Sequence, residues 1–192
     1  MVIFINGSFG VGKTTVARLV AQRLPRSTLF DPEPIGVVLM RLSALGPRGK
    51  SVDDFQDLRL WRAASIRLIR FLLGAGRTVV VPMAFSNAVY LGQFLASVPR
   101  RDHETFHFCL TAPLAIVRAR LAARETRGGP TAWQVRRAEE CCAAHQRAEF
   151  AEQIATEDRS PDEVADEIMR RIAGRHRAPA TRVAPDTRLS PW

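Results

Sequence analysis

Nine residues near the start of the chain have the types and the spacing of a loop that binds phosphate groups. They are Gly7, Ser8, Phe9, Gly10, Val11, Gly12, Lys13, Thr14 and Thr15. Glycines let the backbone curl so that consecutive N–H groups point at phosphate oxygens, and a helix that starts there adds its positive end. At this spacing Lys13 reaches the β and γ phosphates and the Thr14 hydroxyl ligates Mg²⁺. The pattern therefore predicts binding of a nucleoside triphosphate, ATP or GTP, with Mg²⁺.

Sequence motifs that the chain lacks narrow the kind of nucleotide-binding protein. No Asn-Lys-x-Asp motif is present, which argues against guanine-specific switch proteins. The strand predicted at residues 77–84 contains Pro82-Met83 where a motor or transporter ATPase carries Asp-Glu. A chain of 192 residues is also too short for those machines. Small phosphotransferases remain, and these combine such a loop with an acidic residue after the second strand and an arginine-rich lid.

Asp31 is the candidate for that acidic residue because it follows directly after the second predicted strand. In a parallel sheet this position lies at the edge where ligands bind, beside the phosphate-binding loop. A carboxylate there can take the proton of a substrate hydroxyl or hold Mg²⁺ through water. The alternative is a loop aspartate that only begins a turn before Pro32. We favour the functional role because the phosphate-binding loop precedes it.

Three arginines recur at spacings of four and three residues, at Arg120, Arg124 and Arg127. On a helix these spacings place them on one side, and the Gly-Gly-Pro sequence at residues 128–130 can act as a hinge. Arginines stabilise the charge of a phosphoryl group during its transfer. We therefore predict that these three are catalytic and belong to a helical lid at about residues 118–140. A solvated basic face of a helix is the alternative.

Other residues are candidates for contact with the substrate. Arg41 and Arg62 could meet an anionic substrate from the helices that cover the sheet, and Trp61 could stack on a ring. Glu33, close to the second strand, and Met83, at the end of the third, complete the predicted substrate set. Amphipathic helices also carry such residues without any ligand, and this alternative stays open.

Apolar and β-branched runs alternate with helical periodicities along the chain. We predict strands at residues 2–6, 27–30, 77–84, 104–112 and 151–155. We predict helices at residues 13–24, 35–42, 52–73, 87–98, from 113 onward, at 133–149, and from 161 to a stop at Gly174. Strands that alternate with helices indicate a parallel five-stranded sheet with helices on both faces. This is the α/β architecture of the P-loop NTPase fold.

The composition is that of one soluble domain in a reducing compartment. Hydrophobic residues make up 46% of the chain, and no stretch of about 18 apolar residues predicts a membrane span. No basic segment precedes an apolar one at the N-terminus, so we predict no signal peptide. The three cysteines are an odd number, with two of them adjacent, which makes a poor disulfide framework. We therefore predict a cytoplasmic protein.

The formal net charge of +9 comes from 28 basic residues, all but two of them arginines. Arginine binds phosphate through two parallel hydrogen bonds, so an anionic nucleotide explains much of this excess. No motif for DNA or RNA binding is present, and we predict no nucleic-acid partner. Residues 1–174 are predicted to form one P-loop kinase-like domain. An extended, basic, proline-containing tail is predicted at residues 175–192.

Four segments of the chain resemble the bacterial tunicamycin resistance proteins. They are the phosphate-binding loop, FDPEPIG at residues 30–36, VVVPMAFSN at 79–87 and LTAPLAIVRARLAARE at 110–125. These proteins belong to a wider group of P-loop small-molecule kinases that includes shikimate kinase, adenylate kinase and chloramphenicol phosphotransferase. The likeness covers residues 1–173 and implies ATP binding, a resistance phenotype and a lid. By analogy with adenylate kinase, it puts Arg120 over the adenine and Arg124 toward the phosphates.

The resemblance also implies a substrate. Tunicamycin is a uracil nucleoside that carries sugars with free hydroxyls and a fatty acyl chain. The leading hypothesis is an ATP-dependent phosphotransferase that acts on tunicamycin or a similar nucleoside antibiotic. The alternatives are a non-catalytic protein that binds and sequesters the drug with ATP, and a kinase for another small metabolite. A C-terminal membrane-associating helix is attributed to the family, but three prolines at 179, 185 and 191 argue against peripheral membrane contact here. We expect a monomer or a homodimer.

Overall fold

The fold alternates β-strands with α-helices along the chain. The computed structural model of the protein describes residues 1–44, 54–98, 103–123, 130–150 and 152–177. The strands are β1 (Val2–Gly7), β2 (Ser27–Leu29), β3 (Thr78–Met83), β4 (Thr105–Thr111) and β5 (Gln153–Ala155). The helices are α1 (Lys13–Arg23), α2 (Glu33–Ala44), α3 (Arg59–Gly74), α4 (Ala88–Ser97), α5 (Leu114–Ala122), α6 (Ala132–Ala144) and α7 (Pro161–Arg177). Single 3₁₀ turns occupy Phe55–Asp57 and Ala148–Phe150.

The five strands form one parallel sheet in the order β2-β3-β1-β4-β5. Parallel strands that are joined by helices leave their carboxyl ends at one edge, where ligands bind in this class of fold. The phosphate-binding loop follows β1, Asp31 comes shortly after β2, Ala84 follows β3 and Thr156 follows β5. The predicted five-stranded parallel sheet of the P-loop class is confirmed.

Pro82 lies inside β3, although a proline normally interrupts a sheet because it has no N–H to donate. β2 is short and pairs with β3 only as far as Val80, whose carbonyl oxygen accepts the Phe30 N–H. Pro82 is two residues further along, so its nitrogen faces the same side, past the end of β2. On the other side β3 keeps its register with Ile5 of β1. β2 does not extend as far as Pro82, so the missing N–H of this proline breaks no hydrogen bond between the two strands.

Side chains of the central strand alternate between two cores. Val2 and Phe4 of β1 pack in one core with residues of α3 and α4. Ile3 and Ile5 pack on the other face with residues of α1 and α7. Helices therefore cover both faces of the sheet, as the continuous apolar runs of the strands predict.

Two helices begin at other residues than the sequence predicts. α2 begins at Glu33 and not at residue 35, because proline is tolerated in a first helical turn and Pro34 falls there. α3 begins at Arg59 and not at residue 52, because the chain first forms the 3₁₀ turn Phe55–Asp57. The Asp54 carboxylate caps that turn. The first two residues of the predicted helix lie outside the described residues.

The last helix starts as predicted but ends later. Ser160 and Glu163 exchange hydrogen bonds in a capping box at its start. The helix passes through Gly174 and ends at Arg177, so the predicted stop at Gly174 is wrong. Arg175 pairs with a carboxylate beside β5 and lies over an aromatic ring of β4, which holds the last turn against the sheet. The remainder of the predicted tail lies outside the described residues.

Candidate functional site

The loop between β1 and α1 has a backbone suited to an anionic group. Gly10 and Gly12 have φ angles of +86° and +101°, which residues with a side chain rarely adopt. A Cβ atom on Gly10 would also lie 2.9 Å from the Val117 carbonyl oxygen, because α5 packs directly on the loop. α1 begins at Lys13, so its first N–H groups and its positive end face the loop. Gly10 is therefore required by both conformation and space, and Gly12 by conformation alone.

Lys13 is nearly buried, with 6% of its surface exposed. Its Nζ atom lies 3.3 Å from Glu33 Oε1 and 4.4 Å from the centroid of the Phe9 ring. An anionic oxygen thus fits beside the ammonium group, which is what a phosphate at this position requires. Thr14 and Thr15 follow in the first turn of α1, and Thr14 is half-buried while Thr15 is exposed. The residues of this segment fit the triphosphate and the Mg²⁺ that the motif predicts.

Asp31 and Glu33 meet Lys13 at the same edge of the sheet. The Glu33 N–H donates to Asp31 Oδ1 at 3.0 Å, which holds the turn between β2 and α2. Burial raises the pKa of Asp31 above its ordinary value, and the Glu33 carboxylate raises it further. The hydrogen bond from the Glu33 N–H and the charge of Lys13 act in the opposite direction. A carboxylate with a raised pKa beside a lysine is suited to accept a proton.

A cavity of about 250 Å³ opens beside Asp31 and Glu33. Apolar side chains form most of its wall, namely Phe9, Val37, Phe55 and Trp133. The rings of Phe9 and Trp133 are 5.3 Å apart between centroids, which brings α6 against the loop. Asp31 and Glu33 also line the cavity. It therefore combines an aromatic surface with two carboxylates, an arrangement that suits a ring bearing hydroxyl groups.

Arg120 lies on α5, on the side of the loop that faces β5. Its guanidinium donates to Thr156 Oγ1 at 3.0 Å and to the Thr156 carbonyl oxygen at 2.7 Å. A second cavity, of about 210 Å³, lies beside it and is lined by Val11, Val16 and Pro161 among others. A planar guanidinium next to a small apolar slot can stack on a nucleotide base. The contact of Arg120 with adenine stays a prediction.

Arg137 is a buried arginine that sequence reasoning missed. It lies on α6 with 5% of its surface exposed. Its guanidinium donates to Ser86 Oγ at 2.9 Å and to the Ala84 carbonyl oxygen at 3.2 Å, just after β3. Asp54 Oδ2 lies 3.0 Å from it and Glu140 Oε2 lies 2.5 Å from it. Arg137 thus joins α6, the end of β3 and the cap of the 3₁₀ turn.

One pattern in the sequence could have identified Arg137. Trp133, Arg137 and Cys141 are spaced by four residues, so all three lie on one face of a helix. Cys141 is fully buried and Trp133 packs on Phe9 of the loop. An arginine in an otherwise apolar stripe is buried, and a buried arginine needs carboxylate partners.

Trp61 and Met83 are buried in the core, which corrects the prediction that they contact the substrate. Trp61 is 1% exposed, and its Nε1–H donates to the Pro32 carbonyl oxygen at 2.8 Å. It lies on the face of α3 that packs on the sheet, among aromatic rings of the same core. Met83 is 2% exposed and points into that core from β3. Trp61 therefore supports the segment after Asp31 and has no surface for stacking on a ligand.

Arg62 faces Tyr90. Its guanidinium lies 4.3 Å from the centroid of the Tyr90 ring and donates to the Gln56 carbonyl oxygen. These two contacts occupy it in packing, and its contact with a substrate stays a prediction. Three other predicted residues have side chains outside the described part of the chain, namely Arg41, Arg124 and Arg127.

Comparison with known proteins identifies the family. The sequence matches the family model of the AAA domain over residues 2–152. The structure is similar to that of a tunicamycin resistance protein from Deinococcus radiodurans, with a TM-score of 0.69 and 30% sequence identity. The match covers 89% of this chain and 94% of that one. The chain therefore belongs to the family of the AAA domain model, a P-loop kinase-like family. The resemblance to tunicamycin resistance proteins is thereby confirmed.

Two solved structures with lower sequence identity are similar to this chain in fold alone. A gluconokinase from Sinorhizobium meliloti 1021 matches with a TM-score of 0.63 and 17% identity, covering 91% of this chain and 94% of that one. A shikimate kinase from Acinetobacter baumannii in complex with shikimate matches with a TM-score of 0.58 and 15% identity, covering 92% and 95%. No curated protein matches the chain in sequence. Among helices of the described ranges, none combines the length and the apolar composition needed to cross a membrane.

Proposed function

We propose that this protein is an ATP-dependent phosphotransferase that uses Mg²⁺ and acts on tunicamycin or a similar nucleoside antibiotic. The observation that carries the proposal is the position of Lys13, nearly buried between the glycine loop and the carboxylates of Asp31 and Glu33. The 30% identity to a tunicamycin resistance protein supports the choice of substrate. In this proposal Lys13, which binds phosphate, and Asp31, which accepts the proton, lie at the same edge of the sheet.

In this proposal the loop and Arg120 bind the nucleotide. Lys13 exchanges the Glu33 carboxylate for oxygens of the β and γ phosphates, as a charge-assisted hydrogen bond. Thr14 would supply the hydroxyl ligand of Mg²⁺, and the ion would neutralise part of the phosphate charge. The base occupies the slot beside Arg120, whose volume of about 210 Å³ suits a planar ring.

Asp31 accepts the proton of the acceptor. One of its oxygens accepts a hydrogen bond from the Glu33 N–H, and in this proposal the other takes a proton from a hydroxyl. That hydroxyl oxygen forms the new bond to the γ phosphorus, while the bond between this phosphorus and the bridging oxygen of ADP breaks. The proton goes to Asp31 and is released to water later. Burial keeps the Asp31 carboxylate basic enough for this role by raising its pKa.

A second candidate function is binding of ATP and the drug without chemistry. One observation favours it, since β3 is followed by Ala84 and Phe85, which are both buried and apolar. Many P-loop enzymes carry an acidic residue at the end of this strand to hold the metal ion. A kinase for another small metabolite is a third candidate, because the loop and Asp31 suit any hydroxyl acceptor.

Mass spectrometry of tunicamycin after incubation with the protein and Mg-ATP tests the proposal. We expect a mass increase of one phosphoryl group, and no increase with the Lys13→Ala variant. Tunicamycin that binds but keeps its mass would favour the non-catalytic function. Tunicamycin that does not bind to a protein that still binds Mg-ATP would favour a kinase for another metabolite.

A further inference from the structure

A cavity of about 590 Å³ lies at the amino end of β4. The strands are parallel, so this is the edge of the sheet opposite to the phosphate-binding loop. Residues 103–107, which lead into β4 and begin it, line the cavity together with Leu95 of α4 and Arg175 of α7. Glu149 and Glu152 line it close to the start of β5. The roles proposed above involve none of these residues.

β4 begins before its outer neighbour β5, and part of its edge therefore extends past β5. The two strands come into register only from Cys109 onward. Just before that point, the Glu152 N–H donates to the His107 carbonyl oxygen, and the Cys109 N–H donates to the Glu152 carbonyl oxygen. Thr105 comes two residues before His107, so its backbone N–H and C=O face the same side. In the part of the chain that the structure describes, no strand lies on that side of Thr105.

The side chain of Thr105 has an unused hydrogen-bonding group as well. Its Oγ1 atom is buried and makes no hydrogen bond within the described residues. Buried polar groups normally have a partner, and an open strand edge is a template for another extended chain. The cavity therefore has the features of a binding site for one more short strand.

The cavity is acidic, although the chain as a whole has a formal net charge of +9. Glu104, Glu149 and Glu152 line it, against the single arginine Arg175. Arg175 already pairs with Glu152 and lies over the ring of Phe106. With the histidines counted as neutral, the lining carries a net negative charge. It therefore favours an extended segment that brings positive charge.

The sequence supplies such a segment directly beside the cavity. α7 ends at Arg177, two residues beyond Arg175, and the sequence continues for 15 residues. Residues 180–184 have the sequence ATRVA and lie between two prolines. The β-branched threonine and valine favour a strand, and the prolines limit its length because they have no N–H to donate.

We propose that residues 180–184 add a short strand to the sheet by pairing with the edge of β4 at Thr105, inside this cavity. The proposal is independent of the phosphotransferase function. Two residues link the segment to α7, so its effective concentration at the cavity is about millimolar or higher. Pairing within one chain is thereby favoured over pairing between copies. The added strand covers an edge that would otherwise be open to other chains.

The two faces of the proposed strand match the two faces of β4. Cys109, on the same face of β4 as Thr105, packs in the core that contains α4 residues. Phe106, on the same face as Glu104, packs in the core that contains α7 residues. Alternate side chains of a strand face opposite sides. The threonine and valine of the segment therefore face α4, and its arginine faces the side of Glu104.

Amide hydrogen exchange of the full chain, measured by mass spectrometry, tests the proposal. Residues 180–184 should exchange at least about tenfold more slowly than in a synthetic peptide of residues 178–192. Val183→Pro places a proline in the middle of the segment, so it should abolish this protection and speed the exchange of residues 103–107. Leu189→Pro is the matched control, because it introduces the same residue outside the segment. Peptide-like exchange of residues 180–184 in the wild type, or equal exchange of residues 103–107 in the two variants, would overturn the proposal.

Charge reversal tests the electrostatic part of the proposal and leaves the backbone intact. Arg182→Glu brings a carboxylate into a cavity lined by glutamates, so the protection of residues 180–184 should fall at least about threefold. Arg188→Glu makes the same change in net charge outside the segment and should leave the protection unchanged. Equal effects of the two reversals would contradict the contact between Arg182 and the acidic cavity.

Dilution distinguishes pairing within one chain from pairing between copies. The protection of residues 180–184 should stay constant when the protein is diluted about tenfold, because an attached segment keeps its effective concentration. Protection that falls on dilution would assign the segment to a second copy and overturn pairing within one chain. Exchange of β1, the central strand of the sheet, reports in the same samples whether each variant is folded.

Discussion

The two sides of the site are built in different ways. The proposed nucleotide side consists of one continuous segment, residues 7–15, which combines a glycine-rich backbone with one nearly buried lysine. The acceptor side is assembled from distant parts of the chain. Asp31 lines its cavity with Phe55 and Trp133, and the ion pair between Arg137 and Asp54 joins the two elements that carry these rings. The first depends on backbone conformation and the second on ion pairs between side chains. Substitutions should therefore separate the two sides cleanly.

This difference also explains where specificity can arise. A backbone loop tolerates changes elsewhere in the protein because its geometry is local. A cluster of paired charges changes its structure and its local charge when one partner is replaced, since each buried charge depends on its neighbour.

The largest expected effect is on turnover in Asp31→Asn. The amide cannot take a proton, so phosphoryl transfer should fall by roughly 10²–10⁴, the usual contribution of a positioned general base. ATP affinity should stay nearly unchanged, because Asp31 acts on the acceptor. Steady-state kinetics and calorimetric titration of Mg-ATP on the same variant measure both quantities. Wild-type turnover in Asp31→Asn would refute the general-base assignment.

The next largest effect is on stability in Arg137→Met. Removing the guanidinium leaves Asp54, Glu140 and the end of β3 without their partner, and a broken buried pair costs about 3–5 kcal/mol in the free energy of unfolding. Arg118→Met is the matched control, since its pair with Glu139 is more than 40% exposed on both sides and should contribute less than about 1 kcal/mol. Urea denaturation of both variants gives the comparison. Equal losses in the two variants would show that Arg137 does not hold the acceptor side together.

A third effect is a loss of stability in acid that the protonation of His145 causes. His145 is buried, and its ring lies against the Phe85 carbonyl oxygen shortly after β3. Its Nε2 atom is 2.8 Å from the Phe85 carbonyl oxygen, so this nitrogen carries the proton of the neutral ring. Burial lowers the pKa of His145 to about 4, and the charges of Lys13, Arg137 and Arg147 act in the same direction, against the hydrogen bond to Phe85.

The sign of the pH effect follows from this shift. In the unfolded chain the pKa of His145 is near 6.5, so between pH 6.5 and pH 4 the unfolded chain binds more protons than the folded protein. The free energy of unfolding therefore decreases as the pH is lowered through this range. The contribution at neutral pH is about 3 kcal/mol, lost progressively over that range. Asp31 and Asp54, whose pKa values burial raises, oppose the loss at the acid end. Urea denaturation of wild type and His145→Gln at several pH values isolates the effect, and identical slopes for both proteins would contradict it.

Much of the fold could be predicted from the sequence because its signals are local. The strands are continuous apolar runs, and the loop of residues 7–15 is one motif with a strand before it and a helix after it. The error at the end of α7 came from a contact between distant residues, and the error at the start of α3 came from a local cap that the helical periodicity does not show. Asp54 caps a 3₁₀ turn where a longer helix was expected, and Arg175 carries a helix past Gly174 by pairing across to the sheet.

The site was predicted unevenly for the same reason. Lys13 and Asp31 follow strand ends, and the sheet brings all such ends to one edge. Trp61 was misassigned because an amphipathic helix does not show from sequence which aromatic residue lies inward. Arg137 was missed because its partners are 83 residues away at Asp54 and three residues away at Glu140, and only packing brings the first of them near.

Calorimetric titration of Mg-ATP tests most directly the claim that residues 7–15 bind the triphosphate. Lys13→Ala removes the nearly buried ammonium at the mouth of the loop, so we expect affinity to fall by about 1–3 kcal/mol, as for the loss of a charge-assisted hydrogen bond. Arg18→Ala is the control, because Arg18 is exposed on the same helix and should leave the affinity unchanged. A wild-type affinity for Mg-ATP in Lys13→Ala would contradict the claim, and with it the assignment of the nucleotide side.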